Sequence, residues 1–223
     1  GINHQFSEKH SLDFNLLNTG DYFRFSNQFG FEWDNLVGSL TSRNLLTDNL
    51  SLVGMVAYGS FNNGFFEPSP IDPSKIENGL YYYQGKITGL WTLEKLDINF
   101  GAEAIQYQMR SESLIPLTQE FGILPETVQK QRGMEYAPYI SADWNPNENL
   151  SFSGGIRYSN YAQQGPDSIF RYQEGLPISR FTINGVDFIE SGNIVKYNGI
   201  EPRFSFRWTF DKVNSIKGGY SVM

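Results

Sequence analysis

A chain of 223 residues is sized for one domain or for part of a larger one. Its net charge of -7 and pI near 4.9 exclude a nucleic-acid partner, which needs clustered Lys and Arg, and its lack of Cys excludes disulfides and thiolate-bound metal. Only 39% of residues are hydrophobic, mean hydropathy is -0.40, and no run nears the ~18 apolar residues of a helical span, which leaves a strand-built membrane crossing open.

In chain order, residues 1–6 read as the end of a strand and Ser7-Glu8-Lys9-His10 as a tight polar turn. Segments 11–25 and 29–45 alternate apolar with polar residues and meet at a brief connection, 26–28. Thr47-Asp48-Asn49 is the next short turn, leading to a strand at 50–61, a long connection at 62–79 and a strand at 80–93. After Glu94-Lys95 the alternation is clean: Leu96, Ile98, Phe100, Ala102 and Ala104 oppose Asp97, Asn99, Gly101 and Glu103. A long connection at 111–133 precedes a strand at 134–144 and a turn at 145–149. Leu150, Phe152, Gly154, Ile156 and Tyr158 then oppose Ser151, Ser153, Gly155, Arg157 and Ser159. The longest connection, 162–194, is followed by Ile200, Pro202, Phe204, Phe206, Trp208 and Phe210 set against Glu201, Arg203, Ser205, Arg207 and Thr209. A turn at 211–214 opens a final strand, which the chain leaves unfinished at Met223.

The pattern predicts an all-β, antiparallel meander of about ten strands whose short turns gather at one end and long connections at the other. That asymmetry belongs to a transmembrane β-barrel of the Gram-negative outer membrane, with short periplasmic turns and long outer loops. Several strands exceed the ~5–6 residues usual in globular sheets and approach the ~9–11 of tilted membrane strands. Trp91, Trp144 and Trp208 lie just before short turns in phase with the apolar face; Tyr58, Tyr81, Tyr83 and Tyr158 lie toward the other end of that face. Two aromatic rings at two membrane–water interfaces account for this sorting. Pro138 and Pro202 fall inside strands, where a bulge or a missing ladder bond is expected. A soluble sandwich, by contrast, would stack the apolar faces on one another.

No catalytic constellation emerges, so no enzyme, cofactor or metal site is expected. His4 and His10 flank a turn without a Ser or Cys partner and read as solvated turn residues. Asp143-Trp144-Asn145-Pro146-Asn147 begins like a calcium loop, but Glu148 stands where Gly is needed and no terminal Glu follows. The acceptor-like Asn49-Leu50-Ser51 and Asn149-Leu150-Ser151 are idle in this setting. Glu103, Arg157, Glu201, Arg203, Arg207 and Lys217 should point into the barrel, because a cation facing lipid near midplane costs ~2–4 kcal/mol. Lumen ion pairs bracing the wall are the plain reading. Ligand contacts, if present, belong at the loop end, with Phe65, Phe66, Arg171, Tyr172 and Phe181 as candidates.

Residues 133–140 (GMEYAPYI), 150–161 (LSFSGGIRYSNY), 196–203 (KYNGIEPR) and 215–220 (SIKGGY) resemble the barrel of TonB-dependent outer-membrane receptors, especially the Bacteroidetes type. FEWDN at 31–35 and FGAE at 100–103 are similar to further strand pieces of such barrels. The resemblance implies a gated, porin-like importer of a large scarce nutrient (metal chelate, vitamin, oligosaccharide or peptide) powered through TonB. It also implies a plug domain, a TonB-coupling segment and a barrel of ~22 strands. Plug, coupling segment and remaining strands are absent from this chain, so residues 1–223 are expected to form part of a single barrel domain in contact with outer-membrane lipid. On the same resemblance the inward charged residues become plug contacts. The alternatives are a barrel acting as scaffold or accessory subunit for a surface lipoprotein or larger outer-membrane complex, and a small complete barrel.

Overall fold

The computed structural model describes residues 1–26, 28–68, 73–118, 124 and 126–222, with 126 and 127 described by backbone alone. Parts of the predicted connections, at 27, 69–72, 119–123 and 125, and the last strand residue, Met223, lie outside the described residues. The strands are β1 (Ile2–Ser7), β2 (His10–Phe25), β3 (Phe29–Thr47), β4 (Leu50–Glu67), β5 (Ser74–Thr92), β6 (Leu96–Pro116), β7 (Glu126–Thr127), β8 (Gln131–Asn147), β9 (Leu150–Gln164), β10 (Asp167–Tyr172), β11 (Ile183–Ile189), β12 (Asn193–Thr209) and β13 (Ser215–Ser221).

Ten of them form one antiparallel sheet in the order β1-β2-β3-β4-β5-β6-β8-β9-β12-β13; β7 adds to β6, and β10 pairs with β11 as a separate hairpin. The sheet is a single layer. Among the described residues only Ala137 and Ala162 are buried hydrophobics, while Trp, Phe and Ile side chains remain open along one face. Among the described residues no sheet stacks on that face, the β10–β11 hairpin included, so the sandwich arrangement does not occur.

Register sorts every strand into two faces. Trp208, Leu150, Trp144, Leu96, Trp91 and Leu50 fall together on the outward face near the short turns, while Glu103, Arg157 and Glu201 fall on the other. On β5, Trp91 to Tyr83 spans eight residues, about 27 Å of strand. A tilt of about 40° converts that to about 20 Å of apolar height between the two aromatic rings.

The strands run further than the sequence pattern implies. β3 to β6 contain 19, 18, 19 and 21 residues, so much of 62–79 and 111–133 is wall and not loop. Above the tyrosines the polarity reverses: Glu32, Asp34, Asn62, Glu77 and Arg110 face outward, and Phe31, Trp33, Phe61 and Phe65 face inward. A segment that leaves lipid for water no longer needs an oily exterior, and the reversal disguised these stretches as loop.

Three of the short turns share one shape. Ser7↔His10, Thr47↔Leu50 and Asn147↔Leu150 close two-residue turns, each preceded by a register shift. Ser7 Oγ accepts the Lys9 N–H at 3.2 Å, and Asn147 Oδ1 accepts that of Asn149 at 3.0 Å. Such side chains mimic a turn of backbone. The extra residue lets a turn without positive φ close the hairpin; among the described non-glycine residues only Ser26, at φ 52, takes one. At Pro138 the β8–β9 ladder skips from Tyr136↔Asn160 to Tyr139↔Arg157, as expected of a missing donor. Pro202 lies beside an unbroken β9 register and just above the start of β13 pairing, with no bulge.

Candidate functional site

Three levels divide the inward face. At mid-height a charged network crosses β5, β6, β8, β9 and β12. Arg157 Nη2 stands 3.5 Å from Glu135 and 3.9 Å from Glu103, so one guanidinium serves two carboxylates on neighbouring strands. Gln84 Nε2 donates to the same Glu103. Arg157 Nε donates to Ser159 Oγ at 3.3 Å, Ser159 donates to Glu201 at 2.6 Å, and Glu201 holds Arg203 at 3.6 Å. The side chains of Glu103, Glu135, Arg157 and Glu201 are each a third exposed or less. Gly101 makes room for this crossing, because a Cβ there would sit 2.8 Å from the Tyr139 hydroxyl, which reaches over β6 to Thr88 at 3.2 Å.

Nearer the short turns the charges separate by sign. Arg207 and Lys217 lie directly opposite each other on β12 and β13, and among the described residues neither has a carboxylate within ion-pair distance. Asp97 and Asp143 are likewise opposite on β6 and β8. Among the described residues the buried Oδ1 atoms of Asp97 and Asn99 have no hydrogen-bond partner. Like charges paired across strands destabilise a sheet, so each pair fits an oppositely charged group from outside the wall. All six predicted inward charges therefore share one face, yet only Glu103, Arg157, Glu201 and Arg203 join a network. Glu135, Asp97 and Asp143 were not among the predicted inward charges, since their significance depends on register.

At the loop end the inner face is aromatic. Phe25 and Phe29 stack at 5.6 Å, Phe29 and Phe65 at 6.2 Å, and Phe31 and Phe65 lie 5.0 Å apart. Phe65 thus faces inward from a strand and not from a loop. Its neighbour Phe66 faces outward by strand alternation, stacked on Tyr22 at 5.5 Å. Arg171 and Tyr172 lie on β10, where Arg171 binds Asp187 of β11 at 2.7 Å. Phe181, in a 3-10 turn at Arg180–Thr182, is 81% exposed beneath Arg180. The five ligand candidates are therefore spread over four places.

The outward aromatics occupy two levels. Trp91, Trp144 and Trp208 are 42%, 48% and 48% exposed beside the short turns. Tyr58 and Tyr83 pair at 5.1 Å at the upper level, with Tyr81 above them and Tyr158 farther round; Tyr136 belongs with this ring too. Among the described residues no three His, Asp or Glu are grouped to hold a metal ion. His10 is half-buried and bonded through Nδ1 to Asn44, not solvated.

The family model described as TonB dependent receptor-like, β-barrel, matches residues 2–222. No curated protein sequence matches. Among solved structures, the copper transporter OprC superposes with a TM-score of 0.72 at 10% identity, over 98% of this chain and 35% of its own. A double mutant of the Serratia marcescens hemophore receptor HasR, in complex with its hemophore HasA and heme, gives 0.63 at 11% identity, over 98% and 34%. The ferric-catecholate import receptor Fiu of E. coli K12 in its open form gives 0.61 at 11% identity, over 98% and 45%. The chain spans less than half the length of each of these structures, and at such identities the likeness carries the fold alone.

Proposed function

From membership in the TonB-dependent receptor β-barrel family, to which this chain belongs as an outer-membrane β-barrel, we propose that it is part of the wall of a gated importer for a large scarce nutrient. Strands beyond this chain complete the barrel, a plug closes it, and TonB supplies the energy for opening. The wall performs no covalent chemistry. Support for the plug comes from the separated charges, since Arg207 and Lys217 on one arc and Asp97 and Asp143 on another offer docking points of opposite sign.

The observation that carries the reading is the graded inner face: an aromatic mouth above a charged waist. Phe25, Phe29, Phe31 and Phe65 offer flat apolar surface where a ligand first meets the protein, at about 0.5–1.5 kcal/mol for a good aromatic pair. Copper, heme and ferric catecholate, the cargoes of the like-folded transporters and receptors above, are the candidates we propose to try first within the wider class. The test is uptake of labelled candidates by cells with the complete gene, with and without TonB. Phe31→Ala with Phe65→Ala should lower uptake about tenfold while barrel assembly stays normal. Uptake of every candidate unaffected by loss of the gene or of TonB would remove the import reading.

A scaffold role draws on a different feature. The β10–β11 hairpin leaves Phe170, Val186 and Phe188 on one face at 48%, 52% and 62% exposure, a surface fit for a partner. Intact surface assembly of a partner without TonB-dependent uptake would favour that role.

A further inference from the structure

Between the aromatic mouth and the charged waist, the inner face carries a row built differently from either. Gly59, Tyr82, Tyr107, Gly133 and Gln163 are successive cross-strand partners on β4, β5, β6, β8 and β9. Tyr82 lies between Tyr81 and Tyr83 of the upper outward ring, so the row stands at that level on the opposite side of the wall. Rings from neighbouring strands occupy the space over both glycines. A Cβ on Gly59 would fall within the Tyr82 ring, and one on Gly133 would meet the Tyr161 hydroxyl at 2.7 Å and its ring at 2.9 Å. Tyr82 and Tyr161 therefore lie along the wall over bare backbone instead of standing across the lumen. Tyr197 stacks on Tyr161 at 6.5 Å and is 65% exposed. The four tyrosines make an inner band from β4 to β12, about 24 Å across at the usual strand spacing.

The charges that border this band cancel. Tyr107 donates to Glu135 at 3.4 Å, Glu135 and Glu103 share Arg157, and Lys86 stands opposite Glu103 on β5. Two acids thus meet two bases. A cargo with several charges of one sign would be mismatched to half of these groups, whereas an uncharged one leaves the pairs intact. The hydroxyls of Tyr82, Tyr161 and Tyr197 make no hydrogen bond to other side chains among the described residues. A purely aromatic cargo would use the rings and leave those hydroxyls idle. A sugar uses both: its C–H face covers an aromatic ring, and its hydroxyls bond to the phenols and to Glu135.

We propose that the tyrosine band is a stacking site for a neutral oligosaccharide, several rings of which lie side by side on the wall between mouth and waist. The proposal rests on the import reading above and names the class of cargo within it.

The test is calorimetry on the complete receptor purified in detergent, with maltohexaose, cellohexaose and mannohexaose as neutral probes and a ferric tris-catecholate complex as the anionic one. At least one neutral chain should bind, and the anionic complex should bind at least about tenfold more weakly. Tyr161→Leu, which removes a ring, should weaken the neutral chain about fivefold, and Tyr161→Phe, which keeps the ring, about twofold. Tyr197→Leu, at an exposed position with no glycine beneath it, should also weaken binding about fivefold and serves where Tyr161→Leu fails to assemble. Lys212→Ala in a distant turn should change nothing. Failure of all three neutral chains to bind, equal or tighter binding of the anionic complex, or wild-type affinity in an assembled leucine variant would overturn the proposal. TonB-dependent uptake of a metal chelate that the leucine variants leave untouched would remove it while the import reading stands.

Discussion

Ile156 and Arg157 are neighbours in sequence and opposites in environment. Ile156 is 47% exposed on the outward face, paired with Ile140, whereas Arg157 lies among Glu103, Glu135 and Ser159 inside. Placing Arg at 156 sets a cation against hydrocarbon near midplane, at a cost of about 2–4 kcal/mol. Ser205 faces inward on β12 and is exposed, so Ser205→Arg should cost under about 1 kcal/mol. Denaturant unfolding of the complete receptor in lipid bilayers checks both. Equal destabilisation by the two substitutions would mean that the faces have been assigned the wrong way round.

Along each strand, alternation was readable wherever one face met lipid. Leu96 to Ala104, Leu150 to Tyr158 and Ile200 to Phe210 needed nothing beyond their period of two. Phe65 was not readable in the same way. Above the upper ring the apolar phase moves from outside to inside, so 62–67 breaks the pattern while remaining strand. The waist was half legible: Arg157 and Glu201 stood out as charges in clean alternation, but Glu135 needed register to acquire its partner. The turns carry a prediction of their own. Asp211 Oδ1 accepts the N–H groups of Val213 at 2.8 Å and Asn214 at 2.7 Å, and Oδ2 accepts Asn214 Nδ2. These bonds, the Asn214 side chain foremost, hold its carboxyl below the ordinary value of 3.8. A depressed carboxylate stabilises the turn above the unfolded value and loses that contribution as pH falls through the folded one. Amide exchange at Val213 and Asn214 should therefore quicken below about pH 3.8 in wild type but show no such step in Asp211→Asn.

For the molecule as a whole, the open question is closure. Among the described residues β1 pairs only with β2 and β13 only with β12, which leaves two rows of backbone donors and acceptors unmatched. Hydrocarbon does not tolerate such rows, and in water they template association. Residues 1–223 expressed alone should therefore aggregate, or pair edge to edge, and fail to give the heat-modifiable gel mobility of a closed barrel. A monomeric closed barrel from this segment would instead support the small complete barrel.

The reversal of polarity above the upper ring bears on how the wall gets made. To reach the far side, the tops of β3 to β6 have to be carried across the membrane with Glu32, Lys75, Glu77 and Arg110 on the side that brushes against acyl chains. Bare charges would make that passage prohibitive. Knitted as Glu32–Lys75–Glu77–Arg110, they travel as a nearly neutral patch, so a contact that adds little to the finished barrel lowers the toll of its biogenesis.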